Sequence, residues 1–327
     1  MNQFNALLST LKKQSVYIQT HNFPDPDAIA SAFGLQKLLG ARGIDSFICY
    51  SGRIERYNTI KMINTLGITV FNTNDLGHLE QNDEVLLVDC QKGNSNIRNT
   101  NGNEIICIDH HPTFMEVAYL FKDIRPEAGS CSAIIAEYFI ENDLPLDSTT
   151  ATALIYGIKI DTANLTRGVS KLDLDMFYAL YQLSDLDLLR CLEQSTLQFE
   201  DLEAYTNAIN SIQVFENISF ANTGMNCPEA LIATISDFVL ALAEVQFSVV
   251  YSIQKDGVKL SVRSEFQKYD AGRICNCALE GIGNGGGHST MAAGFVPFTG
   301  NANDDSLLIP AIQDRFLEKL GKSFPVR

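Results

Sequence analysis

Short apolar runs alternate with amphipathic segments over roughly the first half of the chain. Four runs are typical of buried strands, namely VYIQT (16–20), SFICYS (46–51), EVLLVDC (84–90) and EIICIDHH (104–111). Three segments have the spacing of amphipathic or buried helices, namely 27–40, 129–142 and 148–160. Buried strands that alternate with helices are typical of a parallel sheet. The pattern therefore predicts an α/β fold for this part of the chain.

The pattern changes after residue 170. Residues 171–215 are charged, lack proline and glycine, and have helical spacing. Another predicted helix, PEALIATISDFVLALAE, is followed by a hairpin in which FSVVYSI and VKLSVRS flank a turn at Lys255-Asp256-Gly257. We therefore predict three parts, which are an N-terminal domain at 1–190, a helical connection at 191–225 and a C-terminal domain at 226–327.

The composition narrows the classes of ligand. Hydrophobic residues make up 46% of the 327 residues, which is typical of a globular chain, and the formal net charge is −15 at pH 7. Such a surface repels long nucleic acid and anionic membranes, because their recognition relies on basic patches. Small phosphate compounds remain compatible with this surface where the site itself is locally positive, as it is around divalent cations.

The sequence also predicts the compartment. Its eight cysteines are scattered without a CxxC pair, which indicates free thiols in a reducing environment. The first residues lack the apolar core of a signal peptide, and Asp237, Glu244 and Gln246 interrupt the longest apolar stretch. We therefore predict a cytoplasmic protein that does not bind membranes.

Unusual polar residues follow three of the predicted strands directly. They are His21, Asp25 and Asp27 after the first, Asp89 at the end of the third, and Asp109, His110 and His111 at the end of the fourth. Asp161 ends a predicted helix, with Arg167 nearby. Because the carboxyl ends of parallel strands meet at one edge, where ligands bind, we expect these side chains to converge. Alone, the segment at 21–31 also fits a turn, with Asp27 as a helix N-cap.

The donor types favour particular metals. Imidazole and carboxylate groups without thiolate suit Mn²⁺ or Mg²⁺, and suit zinc less well. Cys90 follows Asp89 but points to the opposite face of the strand, so we expect it in the core. Six donors exceed the needs of one ion and suit two ions that share a carboxylate. They are His21, Asp25, Asp27, Asp89, His110 and Asp161.

A glycine cluster, GIGNGGGHST (281–290), stands near the end of the chain. It formally fits G-x-G-x-x-G, but a helix rather than a strand precedes it, which disfavours a dinucleotide site. Its backbone N–H groups can form an anion nest, to which His288 and Arg263 would add positive charge. For Arg263 the alternative is a solvated strand end. We interpret His78, the one histidine outside these stretches, as an ordinary loop residue.

Taken in order, HNFPDPDA, Asp89, IDHH, GIKIDT and GNGGGH resemble the DHH phosphoesterases that carry a DHHA1 domain. The similarity is greatest to the bacterial group of nanoRNases, pAp phosphatases and cyclic-dinucleotide phosphodiesterases, which is RecJ-like. It implies a parallel-sheet DHH domain, a smaller C-terminal α/β DHHA1 domain and an active site in the cleft between them. Departures at Ile160, Leu165 and the segment CQKGN concern substrate preference rather than metal binding.

The resemblance also implies a role for each residue. One Mn²⁺, or Mg²⁺, would bind His21, Asp25 and Asp89, and a second would bind Asp27, Asp89, His110 and Asp161. Asp109 would orient a ligand histidine, and His111 would touch the scissile phosphate. The substrate would be held by Arg167 and Arg263, by Gly285, Gly286 and Gly287, and by His288.

The implied reaction is attack on phosphorus by a hydroxide that bridges two metals. The substrates would be short oligoribonucleotides or dinucleotides such as pGpG and pApA, which yield nucleoside 5′-monophosphates, and pAp, which yields AMP. Alternatives are hydrolysis of cyclic di-AMP, an activity like that of inorganic pyrophosphatases or exopolyphosphatases, and a nucleotide sensor without turnover. We expect a monomer or a homodimer that binds small nucleotides and no long nucleic acid.

Overall fold

The chain divides into two units, residues 1–196 and 197–327, and each is built on its own six-stranded sheet. The structure is a computed structural model that describes residues 2–54, 56–76, 79–94, 96–194, 197–265, 269–301 and 305–322. The division at residue 196 lies within the segment that was predicted to connect two domains. In the described residues, no helix has both the length and the apolar character needed to cross a membrane.

The first unit contains a fully parallel sheet. Its strands are β1 (Ser15–Gln19), β2 (Asp45–Tyr50), β3 (Val70–Asn72), β4 (Glu84–Val88), β5 (Asn103–Asp109) and β6 (Phe121–Ile124). They lie in the order β3-β2-β1-β4-β5-β6, so the direction of winding reverses between β1 and β4. In an open α/β sheet, ligands bind beyond the carboxyl ends of the strands at this point. The predicted α/β fold with a parallel sheet is confirmed.

Seven helices of the first unit are described. They are α1 (Gln3–Thr10), α2 (Pro26–Gly40), α3 (Tyr57–Leu66), α4 (Cys131–Glu141), α5 (Ser148–Asp161), α6 (Lys171–Tyr181) and α7 (Leu186–Glu193). Helices α2, α4 and α5 pack against one another and bury apolar residues on most of their surface, including Leu35, Ile135 and Leu154. Cys90 is fully buried, as predicted. The N-terminal ends of α2 and α4 and the C-terminal end of α5 bring polar residues to the carboxyl edge of the sheet.

The second unit has a mixed sheet. Its strands are β7 (Gln213–Phe215), β8 (Ile218–Met225), β9 (Phe247–Ile253), β10 (Gly257–Ser264), β11 (Asn284–Gly287) and β12 (Met291–Pro297), in the order β11-β12-β10-β9-β8-β7. In this second sheet, only β8 and β9 are parallel neighbours among the described strands. The helices are α8 (Asp201–Ser211), α9 (Glu229–Leu240), α10 (Ala271–Leu279) and α11 (Leu308–Lys319). One core joins the sheet to α10 and α11, and another joins it to α8 and α9.

One prediction for this unit needs correction. The connection over 191–225 is helical only in part, because β7 and β8 form an antiparallel hairpin there. Its turn uses Glu216 in a left-handed conformation (φ 56°) instead of glycine, so the usual turn signal is missing. In the glycine cluster, residues 284–287 form an edge strand paired with β12, and the anion binding expected of them stays a prediction. The hairpin of β9 and β10 is confirmed.

Candidate metal centre

The loop after β1 supplies the first group of polar side chains. Asp25 is the N-cap of α2, and its Oδ1 accepts hydrogen bonds from the N–H groups of Asp27 (3.0 Å) and Ala28 (3.1 Å). The N-cap is therefore Asp25, not Asp27 as the simple alternative had it. Because a cap needs only one carboxylate oxygen, Oδ2 of Asp25 is left for another interaction. The guanidinium of Arg56 lies 4.0 Å from that oxygen.

Asp27 is buried and is held by the first turn of another helix. Its Oδ2 accepts a hydrogen bond from the N–H of Cys131 (2.8 Å), and its Oδ1 accepts one from the N–H of Ser132 (2.9 Å). Free N–H groups at a helix N-terminus favour a negative charge, so α4 fixes this carboxylate in place. Gly157 of α5 makes the approach possible, because a Cβ there would lie 3.0 Å from Oδ1 of Asp27.

Asp89, directly after β4, occupies the centre of the group. Its backbone is left-handed (φ 59°), although its N–H still pairs with the carbonyl of Ile108. Strained backbone of this kind is concentrated at functional sites. The side chain is buried, and within the described residues its Oδ1 has no hydrogen-bond partner. A buried carboxylate oxygen without a donor is unfavourable, so this atom fits a cation.

Two histidines, His21 and His110, each approach Asp89 through Nε2 of the imidazole ring. Nε2 of His21 lies 3.6 Å from Oδ2 of Asp89, and Nε2 of His110 lies 3.3 Å from Oδ1. In each ring Nδ1 donates to a backbone carbonyl, which is that of Asn22 for His21 (2.7 Å) and that of Ala128 for His110 (3.2 Å). Such bonds fix the tautomer and leave Nε2 as the atom that can bind a metal.

Asp161 completes the group from the last residue of α5. Its Oδ2 lies 3.2 Å from Nε2 of His110. Three sets of donors have ligand atoms that all lie within 4.8 Å of one another: His21, Asp25 and Asp89; Asp27, His110 and Asp161; and Asp89, His110 and His111. The structure therefore brings together all six side chains that were predicted to be metal ligands.

Asp109 has a different position from those six. Its Oδ1 accepts a hydrogen bond from Nδ1 of His111 (2.8 Å) and another from the N–H of His110 (2.8 Å). Its Oδ2 accepts one from the side chain of Gln91 (2.8 Å), which also donates to the carbonyl of His111. The imidazole that Asp109 orients is thus that of His111, whereas the ring of His110 is oriented by the Ala128 carbonyl.

The charges in this pocket are unbalanced without a cation. Burial raises the pKa of Asp27, and the neighbouring carboxylates of Asp89 and Asp161 raise it further. Burial, partly offset by His110, raises the pKa of Asp161 to about 6. Burial alone would lower the pKa of His21, but the interaction with Asp89 and the charge of Asp25 raise it to about 9. In the absence of a metal, protons on these side chains neutralise part of the negative charge of the carboxylates. A divalent cation would neutralise more of that charge.

The donor set fits divalent cations that prefer oxygen and imidazole ligands. Four carboxylates and two imidazoles face one another, and the described pocket contains no thiolate ligand. This chemistry suits Mn²⁺ or Mg²⁺. Asp89 belongs to two of the three donor sets, and it is the carboxylate with the unpartnered oxygen. The residues present therefore fit two ions that share Asp89.

The other predicted site residues lie at several places. Arg167 donates to the backbone carbonyl of Asp161 (3.3 Å) and so lies beside the metal centre. The remaining residues belong to the second unit: Gly285, Gly286 and Gly287 on β11, His288 just after it, and Arg263 on β10. Nε of Arg263 donates to Asp237 (2.6 Å), so this side chain is already paired. His78 lies outside the described residues.

Sequence reasoning missed the residues that position the ligands. Asp173 of α6 is buried and accepts hydrogen bonds from the N–H of Gly129 (2.8 Å) and the hydroxyl of Ser130 (2.9 Å), just before the turn that holds Asp27. Gln91 orients Asp109 in a similar way. The capping pattern of Ser130 before a helix was readable, but a distant carboxylate such as Asp173 left no local signal.

The chain is similar to several curated proteins over most of its length. Residues 15–158 match the model of the DHH family, N-terminal domain. The chain is 32% identical to an uncharacterized protein of Methanocaldococcus jannaschii over 95% of this chain and 65% of that protein. It is 26% identical to the cyclic-di-AMP phosphodiesterase PdeA of Listeria monocytogenes, over 92% of this chain and 48% of that protein. The chain thus spans about half to two thirds of these two relatives.

A relative of similar length is the probable bifunctional oligoribonuclease and PAP phosphatase NrnA of Streptococcus mutans. It is 25% identical over 93% of this chain and 97% of that protein.

Solved structures share the fold. An exopolyphosphatase-related protein from Bacteroides fragilis superposes with a TM-score of 0.74 at 17% identity, over 95% of each chain. RecJ from Thermus thermophilus, in complex with Mn²⁺, superposes with a TM-score of 0.56 at 16% identity, over 98% of this chain and 55% of RecJ. The family resemblance that the motifs indicated is therefore confirmed over residues 15–158, which match the DHH family model.

Proposed function

We propose that this protein hydrolyses phosphoester bonds of short oligoribonucleotides, dinucleotides or pAp with two divalent cations. One observation carries the proposal: six donors from separate parts of the first unit converge, and one of them, Asp89, has a buried Oδ1 that accepts no hydrogen bond within the described residues. Bound there, the two cations would neutralise charge on the phosphoryl oxygens and lower the pKa of the attacking water. The relatives named as phosphodiesterases and phosphatases support the same class of reaction.

The three histidines of the centre have different roles in the proposed reaction. The three histidines hold Nδ1 in hydrogen bonds, so Nε2 is the atom that His21 and His110 would offer to a metal and that His111 would offer to the substrate. His111 is not needed as a ligand, and its interaction with Asp109 raises its pKa to about 9 against the opposing effect of burial. A protonated His111 can donate a hydrogen bond to a phosphoryl oxygen, where negative charge develops during displacement.

The bond changes follow from the proposed product. The oxygen of water forms a bond to phosphorus, the bond from phosphorus to the 3′-oxygen breaks, and that oxygen takes up a proton. Hydrolysis of pApA would thus give two molecules of AMP, and hydrolysis of pAp would give AMP and phosphate. The acidic surface, with a net charge of −15, favours these small substrates over long RNA.

The choice of metal and the second unit are parts of the same proposal. We propose Mn²⁺, with Mg²⁺ as the alternative, because both ions suit oxygen and imidazole donors and RecJ structures of the same fold contain either ion. We propose that Arg263, Gly285, Gly286, Gly287 and His288 of the second unit also take part in substrate binding. Arg263 would first have to leave Asp237, which is half exposed.

Cyclic di-AMP is a second candidate substrate. The similarity to PdeA, a cyclic-di-AMP phosphodiesterase, covers 92% of this chain and favours it specifically. The chemistry at phosphorus would be the same, and the first product would be linear pApA. Accumulation of pApA would therefore distinguish an enzyme for the cyclic compound from one that proceeds to AMP.

The test is a panel of substrates with added Mn²⁺, read by product mass. It would include pAp, pApA, pGpG, a five-residue RNA, cyclic di-AMP and inorganic pyrophosphate. We expect nucleoside 5′-monophosphates from the linear compounds, and loss of these products with Asp89→Asn. Asp187→Asn is the matched control, because that carboxylate lies exposed in the first turn of α7. Binding of nucleotide without any hydrolysis would contradict the proposal and favour a sensor.

A further inference from the structure

Phe23 lies exposed between two residues of the metal centre. It stands two positions after His21 and two before Asp25, and half of its surface is accessible (50%). Because its side chain is half exposed, Phe23 contributes little hydrophobic stabilisation to the fold. It also has a left-handed backbone (φ 57°), which is unfavourable for a bulky residue. A strained, exposed aromatic residue inside a metal-binding loop is unlike a core residue and points to a function.

The contacts on both sides hold this conformation. The N–H of Asn22 donates to the carbonyl of Asn96 (2.6 Å), and its side-chain oxygen accepts from the N–H of Arg98 (3.1 Å). On the other side, Pro24 restricts the chain and Asp25 caps α2. Because both neighbours are fixed, Phe23 cannot relax by turning its backbone.

The ring of Phe23 also packs against the loop that follows β2. A Cβ at Gly52 would lie 3.2 Å from Cε1 of Phe23, so the ring lies against a residue with no side chain. Gly52 is itself left-handed (φ 79°), which other residues adopt with difficulty. The same loop carries Arg56, whose guanidinium approaches Asp25 (4.0 Å) and adds positive charge near the metal centre. An aromatic ring two residues before Asp25, together with a cation that approaches the same carboxylate, suits an anionic aromatic ligand.

We propose that Phe23 is a stacking platform for a nucleobase of the substrate. The inference rests on the proposed function and makes it more specific: the enzyme selects phosphoesters that carry a base next to the scissile phosphate. A phosphate held by the metal centre carries its nucleoside within a few ångströms, and Phe23 is joined to that centre by one residue on each side. Every base has a π-face, so stacking would favour nucleotides over pyrophosphate without selecting a particular sequence.

The first experiment measures base contact directly and needs no turnover. The chain contains no tryptophan, so Phe23→Trp creates a single tryptophan whose fluorescence can be excited selectively over that of the tyrosines. In Mn²⁺, we expect AMP to quench its fluorescence and ribose 5-phosphate, which lacks the base, to leave it unchanged. Tyr178→Trp on α6 is the control, since its side chain is also exposed and is not among the proposed metal ligands or substrate contacts. Equal effects of the two ligands, or no quenching by AMP, would overturn the inference.

The second experiment removes the ring of Phe23 and the base of the substrate, first separately and then together. Phe23→Ala should raise KM for pApA about tenfold with little change in kcat, since stacking on one aromatic residue contributes on this scale. For a pApA analogue without the base at the stacked position, the same substitution should change KM by less than about twofold. Phe23→Tyr should behave like the wild-type protein. An equal rise in KM for both substrates would contradict base stacking.

Different results would contradict the proposed function and the stacking platform at Phe23. If the wild-type protein hydrolyses no nucleotide, the proposed function is wrong, and quenching of Phe23→Trp by AMP alone decides whether a base binds here. If the wild-type protein is active but Phe23→Ala retains the KM of the wild type for pApA, the proposed function stands and the stacking platform is wrong.

Discussion

At the residue scale, Asp89 is the position where removal of a single charge should reduce metal binding and hydrolysis most. Its carboxylate lies within 3.7 Å of all three histidines of the centre and belongs to two of the donor sets. Loss of a group that only supports a metal ligand costs about 10–100-fold, so a shared ligand should cost more. We predict that Asp89→Asn lowers Mn²⁺ affinity and hydrolysis by more than about 100-fold, measured by calorimetry and product release. Unchanged Mn²⁺ binding would contradict its place between two ions.

Asp109 gives a prediction about His111 rather than about the metals. Its carboxylate accepts a hydrogen bond from Nδ1 of His111 and, against the opposing effect of burial, helps to raise the pKa of this imidazole to about 9 in the metal-free protein. In Asp109→Asn the pKa of His111 should fall, and the alkaline limb of the pH–rate profile should move to lower pH. Activity at the optimum should fall about 10–100-fold, while Mn²⁺ stoichiometry stays the same. A uniform loss of activity with an unmoved pH profile would show a structural role only.

Much of the site could be predicted at this scale from residue type and position alone. The histidines and aspartates stood after predicted strands, and the structure brings them together. The residues that hold them could not be predicted in the same way. Ala128 acts through its carbonyl and Gly157 through a missing side chain, so neither has a chemical signature in the sequence.

At the scale of elements, α6 supports the turn that holds Asp27. The buried carboxylate of Asp173 accepts hydrogen bonds from Gly129, Ser130 and Ser170. Asp173→Ala would leave those donors unsatisfied, so we predict a loss of about 2–4 kcal/mol in the free energy of unfolding, with weaker Mn²⁺ binding. Asp175→Ala is the control on the same helix, because its carboxylate is half exposed and should contribute within about 0.5 kcal/mol. Urea unfolding with and without Mn²⁺ measures both effects.

Close packing of α5 against α2 and α4 gives a separate prediction. A methyl group at Gly157 would lie 2.2 Å from the hydroxyl of Ser132 and 3.0 Å from Oδ1 of Asp27. Gly157→Ala should therefore destabilise the protein by about 1–3 kcal/mol and displace a metal ligand. At Gly40, the exposed last residue of α2, an added methyl meets nothing within 4 Å, so Gly40→Ala should gain up to about 1 kcal/mol. Equal stability of the two variants in thermal unfolding would contradict this packing.

The elements differed in how well the sequence predicted them. The four strands that carry or flank the site are apolar runs of five to seven residues, and three of them have buried apolar interiors. Strands β3 and β6 have only three and four residues and are partly exposed, so their patterns are too short to distinguish from loops. The hairpin of β7 and β8 was missed because its turn contains Glu216 and Asn217 rather than glycine.

At the scale of the whole molecule, the centre concentrates negative charge in a chain whose net charge is already −15. Without metal, His21 retains a proton up to a pH of about 9 because the carboxylates of Asp89 and Asp25 raise its pKa, while burial opposes them. A metal that binds Nε2 must displace that proton. We predict that Mn²⁺ binding releases protons at pH 7 and that the apparent affinity rises between pH 6 and about 9, measured by calorimetry in buffers of different ionisation enthalpy. Binding without proton release would contradict this charge balance.

The most direct test of the account is anomalous diffraction from crystals grown with Mn²⁺, with data collected on both sides of the manganese absorption edge. We predict two anomalous peaks among His21, Asp25, Asp27, Asp89, His110 and Asp161, with the carboxylate of Asp89 contacting both. The absence of peaks at this position, or a single ion that leaves Oδ1 of Asp89 without a ligand, would contradict the two-metal site on which the proposed hydrolysis depends.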